Sequence, residues 1–200
     1  NIELVGSVRG YFHLGSQPLT WANWMKAMLS GRGFVSNGPL IEFTVNGRMP
    51  GEEVAVRSGD RLQIKADVHS LAALDRVELV RNGEVVHTAT LAEAGRRAQV
   101  DVPVEVTSSG WYSVRAMGPA RSFPVENTRP QAVTNPVYVI VDNQPIRDRS
   151  SAEYFVKWID RLTQMAGEHP GWRSDREKAH VLGQFAEARA IYVKRAAEAR

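Results

Sequence analysis

The sequence predicts a mainly β chain with some α. The core of the prediction is an antiparallel β-sandwich of the immunoglobulin or fibronectin kind, with a strand and helix before it and a helical hairpin after it. Three observations carry this. From Leu40 onward, apolar residues recur at period two in a series of short runs. Turn signals separate those runs, among them Asn46-Gly47, Ser58-Gly59-Asp60 and Asn82-Gly83. From Ser150 onward the period becomes helical. The chain is therefore divided into a leading segment 1–38, a sandwich 39–130, and a returning strand with helical hairpin 131–200.

Arg9, Tyr11 and His13 alternate with Val8, Phe12 and Leu14, which predicts a first strand interrupted by Gly10. Thr20 is a good N-cap for a helix from Trp21 to Ser30, and Gly31 fits the left-handed position that ends it. Trp21, Trp24, Met25 and Met28 form its apolar face. Strands are then expected near 40–46, 52–57, 61–69, 75–81, 84–91, 97–106, 111–117, 121–126 and 136–142. Asn82-Gly83 predicts a two-residue hairpin, because both residues accept positive φ cheaply. Residues 127–136, with two prolines, read as a connection. Val137 to Val141 is continuously apolar, which predicts a strand buried on both faces. Phe155, Ile159 and Leu162 mark the buried side of one closing helix; Val181, Phe185, Ala188 and Tyr192 mark the other. Ser174 and Glu177 form a capping box, Tyr112 is placed for a corner hydrogen bond, and Trp158 and Trp172 are expected as anchors.

The formal charge is +3, with basic and acidic residues interspersed, so no nucleic-acid partner is expected. There are no cysteines, which excludes disulfides and thiol catalysis. No apolar run approaches the roughly 20 residues of a membrane helix, and no membrane partner is expected. The first ten residues lack the basic start and apolar core of a signal peptide. A soluble protein is expected, cytoplasmic or periplasmic/secreted. The chain starts without Met, so an end made by truncation or proteolysis is expected.

No His-x-His, His-Glu-x-x-His, phosphate loop or nucleophile elbow is present, and no catalytic set is expected. Asp67-Val68-His69 puts a carboxylate and an imidazole on one strand face, so Asp67 and His69 are the candidate metal ligands. Two ligands are not a site, and the alternative is a polar pair on a solvated strand. Arg9, His13, Arg32 and Asn37 form a candidate pocket set at strand ends and in the glycine-rich joint. For Asn37 a left-handed turn role is favoured, and for the arginines local pairing with acids is the competing role.

Gly31-Arg32-Gly33-Phe34-Val35-Ser36-Asn37-Gly38-Pro39-Leu40, followed by Thr44-Val45-Asn46-Gly47 and Pro50-Gly51, resembles the CehA/McbA-type metallohydrolases of the PHP (polymerase and histidinol phosphatase) superfamily. Val8–Phe12, Asp75–Gly83, Thr134–Val139 and Tyr154–Asp160 extend the resemblance over most of the chain. Gly33 stands where a polar residue is usual. The resemblance implies that residues 1–38 are the remnant of a PHP-type α/β barrel. It also implies that the metal ligands, a His-x-His and an Asp-x-His, lie upstream of Asn1. Asp67 and His69 do not match the latter position. The parent would be a metal-dependent hydrolase using zinc, manganese or iron. This chain would be its non-catalytic C-terminal fragment, with no cofactor of its own and the missing barrel as its partner.

The alternative reading is an immunoglobulin-like binding or oligomerisation module, for a carbohydrate or protein surface. A severed remnant would leave Phe12, Leu14, Trp21 and Trp24 less buried than their types suggest, and a homo-oligomer would cover such surface.

Overall fold

The structure is a computed structural model and describes residues 6–120 and 129–199. It divides into two compact units, Asn1–Ile146 and Arg147–Arg200. The expected strand at 121–126 lies outside the described residues.

The first unit contains β1 (Arg9–Phe12), α1 (Trp21–Leu29), β2 (Gly33–Ser36), β3 (Leu40–Val45), β4 (Glu53–Val56), β5 (Arg61–His69), β6 (Arg76–Arg81), β7 (Glu84–Thr88), β8 (Leu91–Ala92), β9 (Arg97–Glu105), β10 (Gly110–Met117), β11 (Gln131–Thr134) and β12 (Val137–Val141). They form an immunoglobulin- or fibronectin-like sandwich. One sheet has eight strands in the path β1-β2-β11-β10-β12-β4, with β6 on the other side of β10 and β7 beyond it. The other has four, in the order β3-β5-β9-β8. Pairing is antiparallel except between β12 and β4.

The period-two pattern is the cause of the core. In β5, Leu62, Ile64, Ala66 and Val68 turn inward, and Ile64 and Val68 are 0% exposed. They meet Val77, Leu79, Tyr112 and Val114 of the facing sheet. Each fully buried aliphatic side chain contributes about 1.5–3 kcal/mol of transfer free energy. Asn46-Gly47, in a turn closed by the single Val45–Arg48 bridge, and Asn82-Gly83, in the β6–β7 hairpin, adopt positive φ at both positions.

Four features differ from the expectation. Gly33–Ser36, part of the glycine-rich joint and outside the expected strands, is a strand because it pairs with β1 on one side and β11 on the other. Gln131–Thr134 is likewise a strand, because it fills the slot between β10 and β2. The expected 84–91 strand is two strands: β7 pairs with β6 in one sheet and β8 with β9 in the other. Finally, β12 alternates, with Val137, Val139 and Val141 buried while Tyr138 is 36% exposed. Being apolar along its whole length did not make it buried on both faces.

The segment before residue 39 is thus hydrogen-bonded into the larger sheet through β2 and β11, and the compact unit continues to Ile146. β11 and β12 both pair with β10 and so belong to this unit.

The second unit is an antiparallel pair, α2 (Arg149–Glu168) and α3 (Asp175–Glu198). Asp148 caps α2 by accepting from Ser151 N at 2.6 Å. Ser174 caps α3 by accepting from Glu177 N at 3.1 Å, while Glu177 reaches back to Arg173 N rather than to Ser174 N. Phe155 stacks on Tyr192 at 4.9 Å, and Arg189 meets Asp160 at 2.7 Å. Trp172 donates its indole N–H to Ala166 O at 2.8 Å, satisfying a carbonyl of the last turn of α2. Trp158 is 52% exposed. Among the described residues, no helix is long and apolar enough to cross a membrane.

Candidate functional site

The glycine-rich joint positions a cleft at the edge of the larger sheet. Gly31 and Gly51 lie in backbone contact: a Cβ on Gly51 would sit 1.9 Å from Ser30 O. Asn135 ties the same place down, donating Nδ2–H to Gly31 O at 3.1 Å and N–H to Gly33 O at 2.9 Å. The joint thus holds β2 and β1 flush with the edge of the larger sheet. That sheet extends two strands beyond β11, whereas the smaller sheet stops at β3.

The overhang creates a cleft of about 390 Å³ between β1–β2 and β3. Tyr11, Phe12 and Phe34 line one wall, and Ile41 and Phe43 line the other. Tyr11 and Phe34, register partners in the two strands, are stacked at 4.9 Å. Phe12 meets Trp24 of α1 edge to face at 5.5 Å.

Of the four pocket candidates, His13 and Arg32 line this cleft. They adjoin across β1 and β2, where His13 N donates to Arg32 O at 2.8 Å. His13 Nδ1 accepts from Gly15 N at 3.1 Å, so a neutral imidazole carries its proton on Nε2. The Arg32 guanidinium donates to Glu52 Oε1 at 2.9 Å, and Glu52 Oε2 accepts from Met49 N at 3.0 Å. Arg32 therefore pairs locally with an acid and braces the turn before β4. Arg9 is not itself a lining residue: it donates Nε–H to Gly6 O at 2.7 Å and Nη1–H to the hydroxyl of Tyr11, which does line the cleft, at 3.5 Å. Asn37 lines a second, smaller depression of about 270 Å³. It is not one of the residues of positive φ. Its amide bridges to the next strand, with Oδ1 accepting from Gln131 N at 2.7 Å and Nδ2 donating to Arg129 O at 2.9 Å. The favoured turn role is replaced by a side-chain lock on the start of β11.

Asp67 and His69 do come together, with His69 Nε2 2.9 Å from Asp67 Oδ1. The rest of the setting is unsuited to a metal. Arg97 approaches Asp67 Oδ2 at 3.3 Å and Gln99 donates to it at 3.1 Å. A neighbouring guanidinium repels a cation, and no third anionic or imidazole ligand joins from among the described residues. Burial works to raise the Asp67 pKa, but hydrogen bonds from Gln99 and Arg97 and the charges of His69 and Arg97 outweigh it, holding the carboxyl below its ordinary value. Among the described residues, no group of three or more His, Asp or Glu is placed to hold a metal ion.

Sequence reasoning missed Tyr11, Phe34 and Glu42 as residues of the cleft. The signal for Glu42 was legible, since a lone carboxylate alternates with Ile41 and Phe43 in Leu40–Val45. Tyr11 and Phe34 required knowledge that β2 is a strand.

No protein-family model matches this chain, and no curated protein matches it. Among solved structures, the fibronectin(III)-like modules of Clostridium thermocellum CbhA match with a TM-score of 0.32 and 17% identity, over 55% of this chain and 50% of that chain. A crystal structure of an engineered protein matches with a TM-score of 0.29 and 23% identity, over 50% of this chain and 20% of that chain. This chain thus spans half or less of either structure. The sandwich assignment rests on the strand pairing and shared core described above, not on these similarities.

Proposed function

We propose that this chain is the non-catalytic C-terminal portion of a PHP-type metal-dependent hydrolase, and that β1, α1 and β2 form the surface on which the catalytic barrel rests. The joint motif that carries the resemblance supports this reading, and its residues have concrete work here. Gly31, Gly33 and Gly51 permit close backbone approach, Asn37 locks β11, and Arg32 braces the turn before β4. The observation that carries the docking role is the apolar surface of α1 and its entry. Leu19 is 81%, Trp21 75% and Leu29 79% exposed, and Phe12, Leu14 and Trp24 are only partly buried. Large apolar side chains clustered in this way mark a contact surface.

The test has two parts. Elemental analysis of the dialysed chain is expected to find less than about a tenth of an equivalent of zinc, manganese or iron, since a site of three or more ligands retains its metal. Near-stoichiometric metal would overturn the non-catalytic assignment. The coding sequence upstream of Asn1 is expected to encode a His-x-His and a later Asp-x-His; a reading frame without them would overturn the hydrolase parent.

A second reading, the oligomerisation module, is favoured by α2. Tyr154 is 62%, Trp158 52% and Met165 53% exposed. Sedimentation velocity separates the two, because this reading requires a dimer or larger species of the isolated chain.

A further inference from the structure

The free edge of β3 opens into the cleft. Asn46 N donates to Gln63 O at 2.8 Å, which sets the alternation of the antiparallel pair. Leu40, Glu42 and Thr44 direct their backbone groups to His69, Asp67 and Lys65 of β5. Ile41, Phe43 and Val45 therefore direct theirs to the opposite side. Val45 is capped there, exchanging bonds with Arg48 at 3.0 and 2.9 Å. Ile41 and Phe43 have no such cap: no described residue bonds their N–H or C=O groups. Four backbone groups thus face the cleft in strand geometry.

The surroundings define what would pair with them. Ile41 and Phe43 point inward, at 3% and 4% exposure, so residues opposite them in an added strand point inward too. They would lie beneath the overhang, against Tyr11 and Phe34, where the cleft has room for about 390 Å³. The residue between them would point outward beside Glu42. Glu42 is exposed, forms no ion pair with any described residue, and stands opposite the carboxylate of Asp67 in β5. Asp67 is already paired with Arg97 and His69, so the unpaired carboxylate of Glu42 is the charge that favours a cation as the next side chain in the row.

We infer that β3 accepts an extended peptide strand of the pattern apolar–basic–apolar, whose backbone pairs with Ile41 and Phe43 and whose basic residue pairs with Glu42. This is strand addition, in which main-chain hydrogen bonds supply affinity and alternate side chains supply specificity. Natural sheets usually protect such edges with charge, bulges or cover. Here Glu42 supplies a charge that selects, and β1–β2 supplies a roof rather than a plug.

The test uses the full 200-residue chain and a fluorescein-labelled acetyl-Thr-Val-Lys-Val-Thr amide, followed by fluorescence anisotropy and by amide hydrogen exchange. Saturable binding is expected, with slowed exchange of the Ile41 and Phe43 amides. Replacing the peptide lysine by glutamate should weaken binding about two- to fivefold, the range of one cross-strand charge pair. Glu42→Lys should reverse that preference, and its exposed position keeps it from disturbing the core. N-methylation of both peptide valines should abolish binding. Absence of saturation at about 1 mM peptide, an affinity already weaker than a useful docking interaction, would overturn the inference. Equal binding of the N-methylated peptide would overturn strand addition. Concentration-dependent protection of Ile41 and Phe43 without peptide would assign the edge to a second copy of this chain and would also overturn it.

Discussion

Gly33 has no room for a side chain. A Cβ placed there would lie 2.0 Å from Tyr11 O and 2.6 Å from a ring carbon of Phe12. Its register partner is Phe12, so the substitution strains the β1–β2 pair directly. Gly33→Ala should cost about 1–3 kcal/mol, the usual range for overpacking, read as a lower urea midpoint with an unchanged slope. An unchanged midpoint would mean that the two strands are less tightly joined than described. Asp67 makes a pH prediction. Its folded pKa is depressed below the ordinary 3.8, so the unfolded chain binds its proton first as pH falls. The stabilisation is fully present above about that value and is lost as pH drops through the lower folded pKa. Asp67→Asn should flatten the acid limb of a stability–pH curve below pH 4 and leave its shape near neutrality unchanged. A steeper acid limb in the variant would contradict the assigned pairing with Gln99, Arg97 and His69.

Two short strands depend on locks rather than on their own sequences. Asn37 holds the start of β11 by two side-chain bonds to backbone. Thr134 holds its end, accepting from Val114 N at 3.0 Å through a buried hydroxyl. Asn37→Ala should destabilise by about 1–2 kcal/mol, since it leaves the Gln131 N–H without its partner, and should speed amide exchange at Gln131. Exchange that stays slow would mean that β2 alone is enough to hold β11. In the helical pair, Ser174→Ala removes an N-cap and should cost about 1 kcal/mol of that unit's stability, visible as earlier loss of helical circular dichroism on heating.

At the scale of the molecule, the two compact units make separate demands. The sandwich has its own core and spans residues 1–146. A chain ending at Ile146 should therefore fold, with a strand-type circular dichroism spectrum and a cooperative thermal transition. Loss of cooperativity would mean that the core depends on residues 147–200. The helical pair has fewer buried side chains, with Ala152 and Ile159 the buried apolar residues of α2 and none in α3. It should melt at the lower temperature of the two when followed by helix-specific signal.

Much of this architecture is legible in the sequence, for local reasons. Period-two patterning placed β3, β5, β6, β9 and β10. Asn46-Gly47 marked a turn and Asn82-Gly83 the β6–β7 hairpin, because positive φ is a local steric property. Caps and helical periodicity placed α1, α2 and α3. Of the four pocket candidates, His13 and Arg32 line the cleft, and the sequence marked them because strand ends and glycine-rich joints often carry ligands. Tertiary structure alone decided the rest. Four-residue strands such as β2 and β11 have too few residues for a periodic signal, and they exist because neighbouring edges complete their hydrogen bonds. The same pairing carries the larger sheet two strands past β11, leaves β3 as an open edge beneath it, and so creates the cleft. Asp67 and His69 are two apart in sequence, but which groups complete their surroundings was set by β9, which brings Arg97 and Gln99 from thirty residues away. Patterning within a strand reports which face is buried; what stands beside the strand is a matter of long-range pairing, which no local pattern encodes.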